Sequence, residues 1–275
     1  MLVKNNTPWE DYTLGDHTVW VKREDLCCPY PGPSFSKIRG VVAYLDAKKK
    51  ELGPDLVVGV QDTMHSKAGW GVAYVCQKLG LRGIDFYPKL KIYDGKPGPA
   101  QEIAHKLGAE LVQDRPLKSS VLWARSRKYM AEHYHTQVMM PNGLKLLESI
   151  EATAKELVEY TPKELIGGTW IASVSSGTLA SGIWRGLAGC GFVGTLIAHL
   201  GYSRSHDQVT RDIVGKCGSN AKLVIIDEKY QYKDKVNNSW IPFPCNEYYD
   251  AKALTWLCNN VATLQQPVVF WNIGA

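Results

Sequence analysis

Short apolar runs alternate with amphipathic stretches along most of the 275 residues. Apolar runs of roughly four to eight residues are typical of buried strands, and longer segments with a one-sided apolar pattern are typical of helices. The pattern predicts strands at 18–21, 56–60, 83–87, 110–112, 137–140, 169–174, 195–200, 222–226 and 267–271, and helices at 38–52, 69–79, 99–107, 117–133, 147–160, 178–187, 207–214 and 250–261.

Strands separated by helix-length segments predict an α/β fold with mainly parallel sheets flanked by helices. Residues 50–145 hold a self-sufficient β-α-β-α-β-α-β run, which predicts a smaller inserted α/β domain. Residues 1–49 and 146–275 would then form a larger, cofactor-binding domain. The irregular segment 229–249 is rich in Asn, Pro and aromatic residues, and it is either a surface excursion or a lid over a cleft.

Composition is that of a folded globular protein, with 45% hydrophobic and 21% charged residues. The net charge of +5 permits an anionic ligand such as a phosphate ester but does not by itself argue for nucleic acid. No apolar stretch reaches the roughly 18 residues that span a bilayer, so we expect a cytoplasmic protein without a membrane partner. The seven cysteines contain no C-x-x-C pair, and we expect no metal site.

One lysine lies in a Ser/Gly-rich segment just before the helix predicted at 38–52. The segment 34–40 reads Ser-Phe-Ser-Lys-Ile-Arg-Gly and follows the charged run 22–25, Lys-Arg-Glu-Asp. A lysine amine whose pKa is lowered by its neighbours can attack an aldehyde near neutral pH. Lys37 is therefore a candidate for a Schiff base with pyridoxal phosphate (PLP), although a surface lysine at the start of a basic helix fits the same pattern.

A second small-residue segment joins the strand predicted at 169–174 to the helix at 178–187. It consists of Ser175, Ser176, Gly177 and Thr178. Successive backbone N–H groups at the positive end of a helix bind a phosphate dianion, although a Ser-rich helix cap would look the same. Gly177 favours the phosphate hypothesis, because a backbone that closely approaches a ligand tolerates no Cβ.

These segments, in this order, resemble the PLP-dependent enzymes of the tryptophan synthase β-subunit fold (fold type II). Within that group the chain looks most like the 1-aminocyclopropane-1-carboxylate deaminase and D-cysteine desulfhydrase branch. Residues 248–254, Tyr-Tyr-Asp-Ala-Lys-Ala-Leu, are similar to that branch's Tyr-(Glu/Thr)-Gly-Lys-(Ser/Ala) segment. The final residues 268–275 are similar to its strand ending in His-Thr-Gly-Gly, although Asn-Ile-Gly-Ala stands in that place here.

The resemblance implies that Lys37 is the Schiff-base lysine and that Ser175 to Thr178 hold the cofactor phosphate. It also implies that Tyr249, or Tyr248, lies against the substrate or the cofactor ring as a catalytic residue. Asp250 occupies the position of a carboxylate near the pyridine nitrogen, where it would strengthen the ring as an electron sink. Asp250 could equally be the N-cap of the last helix.

The substrate loop departs from the family pattern. Relatives carry Ser/Gly-Asn-x-x-(Gly/Gln), with the asparagine near the cofactor's phenolic oxygen and neighbouring groups on the substrate carboxylate, whereas residues 65–69 here read His-Ser-Lys-Ala-Gly. Ser66 is the candidate catalytic serine, and Lys67 stands where asparagine is expected, as a candidate cofactor-binding residue. His65 is either an acid or base or a structural histidine. Residues 61–64 are either an insertion or a sign that the alignment shifts here.

We therefore expect a PLP-dependent enzyme that forms an external aldimine with a small amino-acid substrate and catalyses elimination or deamination, as a lyase does. Lys37, once released, would be the base. One alternative is a PLP enzyme that acts on an amino acid tethered to a larger molecule, such as a modified nucleic-acid base, for example by decarboxylation. Others are a catalytically degenerate PLP-binding protein and a Rossmann-like nucleotide binder, although no G-x-G-x-x-G follows a strand. Relatives are commonly dimers, so a homodimer is a further expectation.

Overall fold

The chain forms two compact units, each with its own parallel sheet. The computed structural model describes residues 2–63, 65–89, 93–116 and 118–274. In chain order the elements are β1 (Trp9–Leu14), β2 (His17–Arg23), α1 (Ile38–Leu52), β3 (Val57–Gln61), α2 (Ala68–Leu79), β4 (Arg82–Pro88), α3 (Pro99–Lys106), β5 (Glu110–Asp114), α4 (Ser119–His133), β6 (Gln137–Met139), α5 (Leu147–Tyr160), β7 (Thr169–Val174), α6 (Thr178–Gly189), β8 (Thr195–Leu200), α7 (His206–Val214), β9 (Lys222–Ile226), α8 (Asp250–Asn260) and β10 (Val268–Asn272).

The smaller unit contains residues 37–148 and the short segment 29–33. Its sheet has the strand order β5-β4-β3-β6, and all three pairings are parallel. Parallel strands connected by helices bring all their carboxyl ends to one edge of the sheet. The loops after β3 and β6 therefore lie next to each other at that edge.

The larger unit contains residues 3–28, 34–36 and those from Ser149 onward. Its sheet has the order β1-β2-β10-β7-β8-β9, and every pairing is parallel except that of β1 with β2. Successive residues of β10 alternate between two apolar clusters: Val268 and Phe270 face one, Val269 and Trp271 the other. A strand buried on both faces reads as a continuous apolar run, which is why the sequence predicts it well.

The predicted α/β fold is confirmed, with one antiparallel strand at the edge. Strand β1 was not predicted; it forms a hairpin with β2, in which Leu14 pairs with His17 across Gly15, whose φ is +60°. Helix α1 belongs to the smaller unit, whereas the sequence analysis assigned residues 1–49 to the larger domain. The domain limits given there stay a prediction.

The charged run at 22–25 is a buried structural feature of the larger unit. The Lys22 ammonium lies 2.8 Å from the Glu156 carboxylate, and the Arg23 guanidinium lies 2.8 Å from the Asp25 carboxylate. Buried charges persist when they are paired in this way. The ion pair of Lys22 with Glu156 therefore attaches β2 to the segment that contains Glu156.

The segment 229–249 contains no helix or strand, yet it is not a simple surface excursion. Ile241, Phe243 and Cys245 are buried and join the apolar cluster that packs against α8. Its function as a lid stays a prediction. Among the described residues, no helix is both long and apolar enough to cross a bilayer.

Candidate active site

Lys37 is the N-cap residue of α1 in the smaller unit, directly before the helix, as the sequence predicted. Its Nζ donates a hydrogen bond to the Gly143 carbonyl oxygen at 2.7 Å. Burial, and then the positive charge of Lys145, lower the pKa of the Lys37 amine to about 8. About a tenth of such an amine is neutral at pH 7, so Lys37 is a competent nucleophile toward an aldehyde.

The residues just before Lys37 are fixed to the end of β10 in the larger unit. The Ser36 N–H donates to the Ile273 carbonyl oxygen at 3.3 Å, and Phe35 forms a β-bridge with Gly274. An added Cβ at Gly274 would lie 2.4 Å from the Ser34 carbonyl oxygen, so only glycine fits there. The Ser-rich segment is thus hydrogen-bonded to the residues that follow β10 and is not a free loop.

The charge of Lys145 gives a testable effect on Lys37. We expect Lys145→Gln to raise the pKa of the Lys37 amine, because a nearby positive charge disfavours the protonated form. The rate of PLP attachment is measured by visible absorbance at a series of pH values. Its maximum should be unchanged, and the pH at which the rate is half of that maximum, its midpoint, should therefore be higher. Lys128→Gln, which removes an exposed charge paired with Glu132 on α4, is the matched control and should leave the midpoint unchanged. An unmoved midpoint in Lys145→Gln would contradict the assignment.

The predicted substrate loop lies between β3 and α2. Ser66 Oγ accepts a hydrogen bond from the N–H of Ala68, the first residue of α2, at 3.0 Å. Lys67 occupies the N-cap position of the helix, and its ammonium lies 5.7 Å from the centre of the Trp70 ring. His65 is half-buried beside them, and residue 64 of the predicted insertion lies outside the described residues.

Hydrogen bonds connect this loop to the position of the Lys37 amine within the smaller unit. The Gln61 side chain donates to Ser119 Oγ at 2.9 Å, and Asn142 Nδ2 donates to the same oxygen at 3.2 Å. Gly143, which accepts from Lys37, follows Asn142 directly. The structure therefore places Lys37, Ser66 and Lys67 along one edge of one sheet.

Two carboxyl groups are buried beneath the first turn of α2, and the sequence analysis gave neither a function. Asp62 and Asp85 are both fully buried. Burial raises the pKa of Asp62 to about 6, and burial together with the charge of Asp62 raises the pKa of Asp85 well above its ordinary value. Asp85 interrupts the apolar run of β4, which is the sequence signal that could have revealed it.

The predicted phosphate segment is a tight turn between β7 and α6 in the larger unit. Gly177 precedes α6 with φ +84°, and an added Cβ there would lie 3.0 Å from the Cβ of Asp212. Ser176 Oγ and Thr178 Oγ1 lie 3.0 Å apart. The positive end of α6 and two hydroxyls thus meet at a backbone that only glycine readily adopts, which suits a phosphate group.

An arginine that the sequence analysis missed supports this turn. The Arg204 guanidinium donates to the Ser175 carbonyl oxygen and lies 3.0 Å from the Asp212 carboxylate. Arg204 follows β8, which pairs with β7, so the two strand ends are neighbours. The sequence signal that could have revealed Arg204 is its position as a basic residue shortly after β8, the strand next to β7.

Tyr249 and Asp250 lie at the start of α8. An added Cβ at Gly201 would lie 2.7 Å from Cδ1 of Tyr249, so the ring packs directly on this glycine. Burial is the main cause that raises the pKa of the Tyr249 hydroxyl. Asp250 is the first residue of the helix rather than its N-cap, contrary to one predicted alternative, and its carboxylate accepts from the Gly274 N–H at 3.2 Å.

The larger unit gathers these residues at the carboxyl ends of three adjacent strands. Gly201, beneath Tyr249, donates through its N–H to the Val174 carbonyl oxygen at 3.0 Å, directly before the phosphate segment. Gly274, beside Asp250, ends the extension of β10, the other neighbour of β7. This edge is where α/β sheets bind ligands.

The residues present fit PLP in chemical type. The smaller unit supplies a lysine amine of lowered pKa for the aldehyde. The larger unit supplies a left-handed glycine and a helix N-terminus for the phosphate, and it also contains the buried carboxylate of Asp250.

Comparison with known proteins identifies the family. The Glycyl-dTMP PLP-dependent decarboxylase of Pseudomonas phage M6 is 45% identical over an alignment of 284 positions, which covers 99% of this chain and 100% of that protein. The chain belongs to this family of PLP-dependent enzymes. No family model matches the chain of this PLP enzyme.

Solved structures place the PLP enzyme in fold type II. An ACC deaminase homologue superposes with a TM-score of 0.76 at 16% identity, covering 100% of this chain and 90% of that one. A fungal L-serine ammonia-lyase from Rhizomucor miehei gives 0.71 at 15% identity (98% and 92%). A hydrogen sulfide-producing enzyme from Fusobacterium nucleatum gives 0.69 at 13% identity (98% and 94%). The predicted fold and the PLP cofactor are confirmed; the individual residue roles and the homodimer stay predictions.

Proposed function

We propose that this PLP enzyme decarboxylates a glycyl group carried on a thymidine nucleotide. The observation that carries the proposal is the 45% identity to a glycyl-dTMP decarboxylase over essentially the whole of both chains. The proposal develops the sequence-based alternative of a tethered amino acid. Elimination from a free amino acid, the first expectation, becomes an outcome of the test, because the deaminase and lyase neighbours support the fold alone.

The chemistry defines how the glycyl group must be attached. A PLP enzyme needs a free substrate amine, and a decarboxylase needs a free carboxylate, so the nucleotide is bonded through Cα. The bond between Cα and the carboxylate breaks, carbon dioxide leaves, and a proton takes its place on Cα. The product is a nucleotide that carries a primary aminomethyl group.

Charge distribution supports a substrate with phosphate groups. The smaller unit carries eighteen Lys and Arg residues against eleven Asp and Glu, whereas the rest of the chain carries fourteen against sixteen. Two of those eleven acids, Asp62 and Asp85, are fully buried. The positive charge is therefore concentrated on one unit, where it attracts an anionic nucleotide.

Each candidate residue has a defined task in this reaction. Lys37 holds the cofactor aldehyde and later delivers the proton to Cα, for which an amine with a pKa of about 8 is suited. Ser175 to Thr178 would hold the phosphate of the cofactor, and Asp250 would hold the proton on its pyridine nitrogen. Tyr249 would lie beside the reacting group. When bound, PLP supplies the electron sink for the pair left by the broken bond.

The test is product analysis with a defined substrate. We expect the purified enzyme with PLP to release carbon dioxide, and no ammonia, from a thymidine nucleotide that bears glycine through Cα. Because the nucleotide contributes binding energy, kcat/KM should exceed that for free glycine by at least about a hundredfold. Release of ammonia with a keto product, or equal turnover of free glycine, would contradict the proposal.

A further inference from the structure

Two negative groups lie beside the predicted phosphate turn of the larger unit, residues 175–178. The first is the Asp212 side chain: an added Cβ at Gly177 would lie 3.0 Å from its Cβ and 3.9 Å from its carboxyl carbon. The second is the Ser175 carbonyl oxygen, which belongs to the turn itself and carries a partial negative charge. A phosphate dianion held by the N–H groups of this turn would be repelled by both.

The Arg204 guanidinium contacts both of these groups at once. Its Nη1 donates to the Ser175 carbonyl oxygen, and its Nη2 donates to Asp212 Oδ2 at 3.0 Å. The Arg204 and Asp212 side chains are only 16% and 18% exposed, so salt and water screen this ion pair incompletely. Arg204 therefore compensates the charge of the carboxylate and fixes the position of the Ser175 carbonyl group.

The fold holds this arginine and this carboxylate next to the turn. Strands β7 and β8 are paired, so the residues that follow them lie together. Ser205, directly after Arg204, is the N-cap of α7, the helix that carries Asp212. The Gln208 side chain, also on α7, donates to Asp212 Oδ1 at 2.8 Å, so both oxygens of the carboxylate accept a hydrogen bond.

We propose that Arg204 makes the 175–178 turn competent to hold the cofactor phosphate, by neutralising Asp212 and by binding the Ser175 carbonyl oxygen. Arg204 is a positioning residue, because it acts on the phosphate through the turn and through Asp212. The inference uses the predicted phosphate function of Ser175 to Thr178, and it does not depend on which reaction the enzyme catalyses.

The experiment measures the dissociation constant of PLP by equilibrium dialysis of the holoenzyme. Arg204→Gln leaves the Asp212 carboxylate uncompensated, so the constant should rise at least about tenfold. Replacing the carboxylate as well, in Arg204→Gln/Asp212→Asn, should return the constant to within about threefold of wild type. The matched control is Arg211→Gln, which removes an exposed positive charge of α7 that contacts Gln208 at 3.1 Å, and it should change the constant by less than about twofold.

Pyridoxal, which lacks the phosphate, separates an electrostatic effect from a structural one. Its dissociation constant in Arg204→Gln should stay within about twofold of wild type, because no dianion then lies near Asp212. Equal losses of affinity for PLP and for pyridoxal would overturn the inference, and so would a double variant as weak as Arg204→Gln alone. Neither measurement uses decarboxylation, so a failure here leaves the proposed function standing, and a failure of that function leaves this inference standing.

Asp212→Asn by itself covers the case in which Arg204→Gln does not fold. With the arginine kept and its acidic partner neutralised, the surroundings of the turn become more positive. PLP should therefore bind about twofold to fivefold more tightly, while the affinity for pyridoxal stays the same. If the ion pair only held the loop in shape, Asp212→Asn would bind PLP less tightly; that result, or an unchanged affinity, would overturn the inference.

Discussion

Lys37→Ala is expected to abolish both the visible absorbance of the enzyme with PLP and its turnover, by about ten-thousandfold or more. The reason is that this substitution removes the amine that holds the cofactor and also the group that moves the proton. The substitution removes the hydrogen bond from Lys37 Nζ to the Gly143 carbonyl oxygen, and we expect the variant still to fold. The measurement is an absorbance spectrum beside a carbon dioxide assay, with wild type and variant at equal PLP concentration.

Lys252 provides a matched control for this prediction. It is a fully buried lysine, its pKa is also lowered by burial, and its Nζ donates to the Gly201 carbonyl oxygen at 2.7 Å. Lys252→Met should keep the visible band. Borohydride reduction followed by peptide mass spectrometry should find the cofactor on Lys37 alone. A band that survives in Lys37→Ala and disappears in Lys252→Met would transfer the attachment point to the larger unit.

Much of the fold could be predicted from the sequence because its central strands are buried on both faces. The ranges predicted for β7 and β8 agree with the structure, since each is an apolar run bounded by polar or small residues. Strand β1 was missed because Glu10 and Asp11 interrupt its apolar pattern and because it depends on pairing with β2. Pairing across chain segments is not visible in local periodicity.

The residues of the candidate site form two groups: those that a local segment reveals, and those whose contacts depend on strand pairing. Lys37 and the residues around Gly177 belong to local segments, whose small residues and helix starts can be identified in the sequence alone. The contacts of Arg204 with Ser175 depend on the pairing of β7 with β8, which no local pattern states. Asp62 and Asp85 lie more than twenty positions apart and meet only because β3 pairs with β4.

Gly69→Ala is expected to destabilise the smaller unit by roughly 2 kcal/mol or more. Its Cβ would lie 2.2 to 2.7 Å from three atoms of the Asp85 carboxyl group. That side chain is short and held in a strand, so it cannot move away cheaply. Denaturant unfolding measures the change. Gly83→Ala in β4, whose Cβ would lie an ordinary 3.5 Å from Cys76, is the control and should change stability little.

The effect of Gly69→Ala on stability should change from destabilising to stabilising when Asp85 is replaced by a shorter residue. In an Asp85→Ala background the three clashing atoms are gone, and alanine is favoured over glycine inside a helix by up to about 1 kcal/mol. Gly69→Ala should then stabilise the protein, which gives a large coupling energy between the two positions. Equal destabilisation in both backgrounds would mean that Asp85 does not lie against the first turn of α2.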